Sequence, residues 1–248
     1  MGLESFLLDR LYETPISYDD ETDKKVGKID KKTGTKWFVP PPENATLEEI
    51  GEFVKKMEQD KVLVYADLGS GKSKSAKLND GKTVCKWNHE TENFGNQIKQ
   101  EVEVYRKFSS KYPDVLPKFY KWGTNWVIQE LVEPVVKSNF VEKPAFKSIT
   151  GVDFKDFEKL ADHFQYFRGR NIAANKRPNF DKFVKQVLEF LERADKREYA
   201  NSVKLLNNSN IRDLLKFSYE SKVSSSDFHD ENIGISKDKK IKILDFGV

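Results

Sequence analysis

The spacing of apolar residues changes character several times along the chain. At the start, Phe6, Leu7, Leu8, Leu11 and Tyr12 suit one or two amphipathic turns. Residues 17–36 are then nearly all charged, polar or glycine, and Pro40-Pro41-Pro42 follows as a stiff spacer. Residues 1–44 therefore read as a flexible tail. Thr46 stands three residues before Glu49, the pattern of a capping box, and opens a helix to about Glu58. From Lys61 the period shortens to that of strands, at residues 62–65, 76–78 and 83–87, with the turn Asn79-Asp80-Gly81 marking a hairpin. Residues 94–109 return to helical period, with Phe94, Ile98, Val102, Tyr105 and Phe108 on one face. Residues 126–128 suit a buried strand. The stretch 153–216 reads as mostly helix, within which Phe183, Val187, Leu188, Phe190 and Leu191 recur at helical spacing. Residues 233–235 and 241–244 make a closing hairpin. Strands, then helices, then a hairpin predict an α+β chain in two lobes, residues 45–132 and 133–248 behind the tail.

Composition narrows the classes of function. The 248 residues carry 43 Lys+Arg against 40 Asp+Glu, a net charge of +3, so no strong basic field marks a DNA or RNA binder. No run of about 18 apolar residues exists, and no membrane partner is expected. The single cysteine excludes an internal disulfide and a cysteine-based zinc site, and suits a reducing compartment. With no cationic n-region before the short apolar start, the expectation is a soluble cytoplasmic protein.

Two stretches carry candidate chemistry. Residues 66–73 read Ala-Asp-Leu-Gly-Ser-Gly-Lys-Ser. A nucleotide-binding P-loop would need a helix after Lys72-Ser73, whereas the following residues alternate as strands. The other reading is a glycine-rich turn between strands whose backbone amides, at Gly69, Ser70, Gly71 and Lys72, could cover phosphates; a plain hairpin loop fits as well. Lys86 ends the strand after the Asp-Gly turn. On the next helix, at about 100° per residue from Phe94, Glu101 falls at about −20°, within the apolar face, and Glu103 at about 180°, outside it. A carboxylate on a buried face needs a partner, and Lys86 is a credible one.

The second stretch is Asp227-Phe228-His229-Asp230-Glu231-Asn232, followed by the closing hairpin and Asp245-Phe246-Gly247. Its bland reading is a pair of Asx turns flanking a hairpin. In the order glycine turn, Lys86, Glu101, Asp227, Asn232, Asp245, the chain resembles the protein-kinase-like superfamily over residues 62–248, about three quarters of its length. The resemblance implies an antiparallel N-lobe sheet with a mainly helical, truncated C-lobe. It also implies ATP and Mg²⁺ as cofactors. Lys86, oriented by Glu101, would contact phosphates, and Gly69, Ser70, Gly71 and Lys72 would cover them. Glu130 and Val132 would meet adenine through their backbone. Asn232 and Asp245 would hold the metal, and Asp227 would act as base.

Departures from the pattern shape the expectation. Ser225-Ser226-Asp227 replaces His-Arg-Asp, and His229 stands where protein kinases usually carry Lys. The His resembles aminoglycoside- and choline-type phosphotransferases and the small kinase-like proteins of tailed bacteriophages. The sequence also stops just after Asp-Phe-Gly, so no activation segment or peptide-docking lobe is expected. The expected function is an ATP–Mg²⁺-dependent phosphotransferase acting on a protein hydroxyl, including its own Ser5, Thr14, Ser17 or Tyr18. If phage-encoded, it would work in host cytoplasm or virion. The alternatives are a kinase-like pseudoenzyme or nucleotide-regulated binding module, a small-molecule phosphotransferase, and a nucleotidyltransferase. His89 and His163 read as isolated solvated or core residues. Lys121, Arg168, Arg170, Lys176 and Arg177 are dispersed, with acceptor binding the lesser reading.

Overall fold

A computed structural model describes residues 41–59, 63–64, 73–78, 83–88, 97–137, 140–141, 143–225, 228–229 and 232–246. The chain is α+β and divides into two compact units, Met1–Val102 with Lys118–Leu131, and Glu103–Pro117 with Val132–Val248. No helix among the described residues is long and apolar enough to cross a membrane.

The first unit is built on an antiparallel sheet flanked by helix. Helix α1, Leu47–Gln59, begins at the capping box: the Thr46 N–H donates to Glu49 Oε2 at 2.7 Å, and the Glu49 N–H to Thr46 Oγ1 at 3.2 Å. Strands β1 (Leu63–Val64), β2 (Ser73–Leu78), β3 (Thr83–Asn88), β4 (Phe119–Trp122) and β5 (Trp126–Glu130) lie in the order β1-β2-β3-β5-β4. β2 and β3 pair with Lys77 opposite Val84, a hairpin across residues 79–82. A P-loop would continue Ser73 into a helix; here Ser73 and Lys74 already pair with Asn88 and Trp87. Strand alternation explains how β3 is buried on both faces. Cys85 and Trp87, with Trp126 and Ile128 of β5, pack against Ile50, Val54 and Met57 of α1. That leaves Val84, Lys86 and Asn88 on the other face.

Helix α2, Gln97–Phe108, carries Ile98, Glu101 and Val102 buried and Glu103 exposed, as the angular positions predicted. Residues 62, 65, 79–82 and 94–96 of the expected strand, turn and helix lie outside the described residues, as do residues 1–40 of the tail.

The second unit is mainly helical, with short strands. β6 (Glu133–Pro134), β7 (Val136–Lys137) and β8 (Phe140–Val141) precede α3 (Lys143–Thr150), α4 (Phe154–Ala173), α5 (Phe180–Ala194), α6 (Lys196–Asn207) and α7 (Ser209–Ser221). Side-chain caps divide the last three helices: Asn179 accepts from the Lys182 N–H, Asp195 from those of Arg197 and Glu198, and Asn208 from that of Ile211. The interior is aromatic, with Phe146, Phe154 and Phe157 in mutual contact and Phe228 stacked on Phe157. Each such side chain taken fully from water contributes on the order of 1.5–3 kcal/mol. Phe190 departs from the predicted apolar face of α5. It is 42% exposed, and its ring meets His163 and Phe167.

The closing hairpin consists of β9 (Ile233–Ile235) and β10 (Ile241–Ile243), with β6 added to the edge of β9. Gly234 makes that third strand possible. A Cβ there would come within 2.7 Å of both the Glu133 carbonyl oxygen and Val132 Cγ1.

Candidate functional site

In the first unit, β3 and α2 bring together the two residues that the sequence pairs. Lys86 Nζ lies 2.5 Å from Glu101 Oε1, with the residues 7% and 0% exposed. Taking both charges out of water carries a large desolvation penalty, which only close pairing and further hydrogen bonds offset. Gln97 Nε2 supplies one such bond, donating to Glu101 Oε1 at 3.3 Å from one turn earlier on α2. Asn88, two residues beyond Lys86 on the same strand face, accepts from the Ile98 N–H at 3.3 Å and so fixes the start of that helix. Neither Gln97 nor Asn88 was singled out in the sequence. A polar residue at the end of an otherwise buried strand was the available signal.

Glu130 ends β5. Its N–H donates to the Lys118 carbonyl at 2.8 Å, while its carboxylate accepts from the Lys118 N–H at 3.0 Å. Beside it in β5, Gln129 is 5% exposed, and its buried Oε1 has no hydrogen-bond partner among the described residues. Val132, assigned to the second unit, is buried against Gly234.

In the second unit, the hairpin holds Asn232 and the residues leading to Asp245 together. The Leu244 N–H donates to the Asn232 carbonyl at 2.7 Å, extending the β9–β10 ladder by one step. Asn232 Nδ2 lies 3.1 Å from His229 Nε2. In the tautomer that leaves His229 Nε2 unprotonated, the imidazole accepts from the Asn232 amide, and Asn232 Oδ1 keeps its acceptor capacity.

The flanks of the catalytic-loop candidate are anchored to α4. Ser225 is buried, and its Oγ donates to the Ala161 carbonyl at 3.1 Å. Phe228 is buried, and its N–H donates to the Ser225 carbonyl at 3.1 Å. A pocket of about 280 Å³ opens there, lined by Lys155, Glu158, Lys159 and Asp162 of α4 and by Ser225, Phe228 and His229. Gly69, Ser70, Gly71, Lys72 and Asp227 lie outside the described residues.

Two single-residue expectations change. His163 is not isolated: Nε2 lies 2.9 Å from Glu198 Oε1, bridging α4 and α6. Arg168 is no dispersed surface charge, for its guanidinium donates to backbone carbonyls of Ser218 and Val223. No protein-family model matches the chain, and no curated protein matches it.

Proposed function

We propose that the protein is an ATP- and Mg²⁺-dependent phosphotransferase with a two-lobed protein-kinase-like fold, acting on a protein hydroxyl. The observation that carries this reading is the buried Lys86–Glu101 pair. Replacing such pairs by apolar residues is often neutral or stabilising, so the pair is better explained by work done by the lysine than by fold stability. An ammonium held in one place by a carboxylate is what phosphate oxygens require of a strand lysine.

The donor set suits the cofactor. Mg²⁺ prefers hard oxygen ligands, and Asn232 Oδ1 and the Asp245 carboxylate are of that kind on a hairpin that keeps the two stretches in register. Bound ATP with Mg²⁺ supplies the transferable phosphoryl group and neutralises its charge. Lys86 would bind phosphate oxygens, Glu101 would orient Lys86, Asn232 and Asp245 would hold the metal, and Asp227 would accept the proton of the attacking hydroxyl. Supporting a protein acceptor, the pocket beside His229 is rimmed by alternating lysines and carboxylates and has room for one side chain. Charge alternation of this kind suits a mixed-charge peptide surface.

Incubation with γ-labelled and, separately, α-labelled ATP, followed by mass spectrometry beside an Asp227→Ala variant, tests the reading. γ-Label on protein in the wild type and none in the variant is expected. α-Label alone would make the activity nucleotidyl transfer. Label from neither isotope, with no turnover of small hydroxylated compounds, would leave a binding module in place of an enzyme.

A further inference from the structure

Arg168 sits two turns along α4 from Ala161, on the stripe that also carries Gln165. Its Nη1 donates to the Ser218 carbonyl at 3.3 Å and to the Val223 carbonyl at 3.2 Å. Among the described residues it makes no ion pair, so this half-buried cation is committed to main-chain oxygens. Ser218 lies in the last turn of α7, where carbonyls lack intrahelical partners and the helix dipole favours a cation. Capping alone would explain that contact. Val223 lies beyond the helix, past Lys222, whose φ of +72° ends α7 in the left-handed region. Two donors converge on this point: Arg168 Nη1 and Ser218 Oγ both donate to the Val223 carbonyl, the latter at 2.8 Å, and Val223 itself is 1% exposed. Two residues later the Ser225 hydroxyl meets the Ala161 carbonyl and Gln165 Oε1. Residues 161, 165 and 168 of one helix face thus grip Val223 and Ser225, the latter two residues before Asp227 in the sequence.

We infer that Arg168 is a positioning residue, holding the Val223 carbonyl so that the backbone leaving α7 takes one path into the catalytic loop. The inference rests on the proposed phosphotransferase reading for its catalytic consequence, but the grip itself can be measured without turnover. Small displacements matter at such sites: about 1 Å can cost roughly a hundredfold in rate. The guanidinium serves two carbonyls from one nitrogen, so a lysine ammonium, with three donors on a flexible stem, can replace part of it and a methionine none.

The test compares wild type, Arg168→Lys and Arg168→Met. In the methionine variant, the affinity for ATP with Mg²⁺, read by calorimetry, stays within about twofold of wild type, while phosphoryl transfer falls by at least about tenfold; the lysine variant recovers part of the loss. Hydrogen exchange is the second readout. The methionine variant exchanges the Phe228 and Asn232 amides faster, with the α5 amides as protected as in wild type. Simple capping of α7 would loosen only its last turn. Full transfer by a folded methionine variant, or unchanged exchange at Phe228 and Asn232, would overturn the inference. If wild type transfers nothing, the phosphotransferase reading fails, and exchange alone decides whether Arg168 fixes the loop.

Discussion

At the scale of single residues, Lys86 and Glu101 separate stability from function. Removing one partner leaves a charge buried where its counter-charge stood, so Glu101→Leu should cost about 3–5 kcal/mol in denaturant unfolding. Replacing both, Lys86→Met with Glu101→Leu, should restore a midpoint near or above that of wild type while abolishing ATP binding. A double variant as unstable as the single one would mean that the pair holds the fold together. Glu101 was legible because a helix has one phase: Ile98 and Val102 fix the buried face, and Glu101 falls on it while Glu103 does not. His163 was not legible, because its partner Glu198 is 35 residues away on another helix, and nothing local signals that meeting. Cys85 behaves as an apolar core residue. Burial pushes its thiol up to about 12, so a thiol-reactive chromophore should label it only as fast as the protein unfolds. Rapid labelling of folded protein would contradict that burial.

At the scale of elements, local chemistry and long-range contacts differ in what the sequence reveals. The start of α1 could be read because Thr46 and Glu49 satisfy each other within three residues. The Glu49 carboxyl is held below its ordinary value first by the Thr46 backbone N–H and then by the Thr46 hydroxyl, with a small opposing effect of burial. A depressed folded value means stability that is present above the unfolded carboxyl's pKa and lost as pH falls through the folded one. The start of α1 should therefore fray progressively below about pH 4.3. Glu49→Gln, which keeps the capping geometry, should flatten that dependence; an identical acid profile would contradict the assignment. The bounds of α5, α6 and α7 were less clear, since Asn179, Asp195 and Asn208 act as caps only where the chain actually turns. β6 was invisible: it is two residues long and contains Pro134, and it exists because Gly234 lets it approach. Gly234→Ala sets a methyl against the Glu133 carbonyl and should cost about 1–3 kcal/mol. Unchanged stability would mean that β6 yields freely.

At the scale of the molecule, the α+β class followed from the order of periodicities, since period two gives way to period 3.6 and returns at the closing hairpin. The division into units was harder, because Glu103–Pro117 belongs with the second unit although it precedes the strands of the first that begin at Phe119. Sequence order does not carry that information; packing does. The claim that the protein binds ATP with Mg²⁺ rests on Lys86 and Glu101 for the phosphates and on Asn232 and Asp245 for the metal. Calorimetric titration of the folded chain with a non-hydrolysable ATP analogue, with and without Mg²⁺, tests that claim most directly. The expected result is one-to-one binding that requires Mg²⁺, is lost in Lys86→Met and weakens at least about tenfold in Asp245→Ala. Absence of Mg²⁺-dependent heat in wild-type protein shown to be folded, or undiminished binding by both variants, would contradict it.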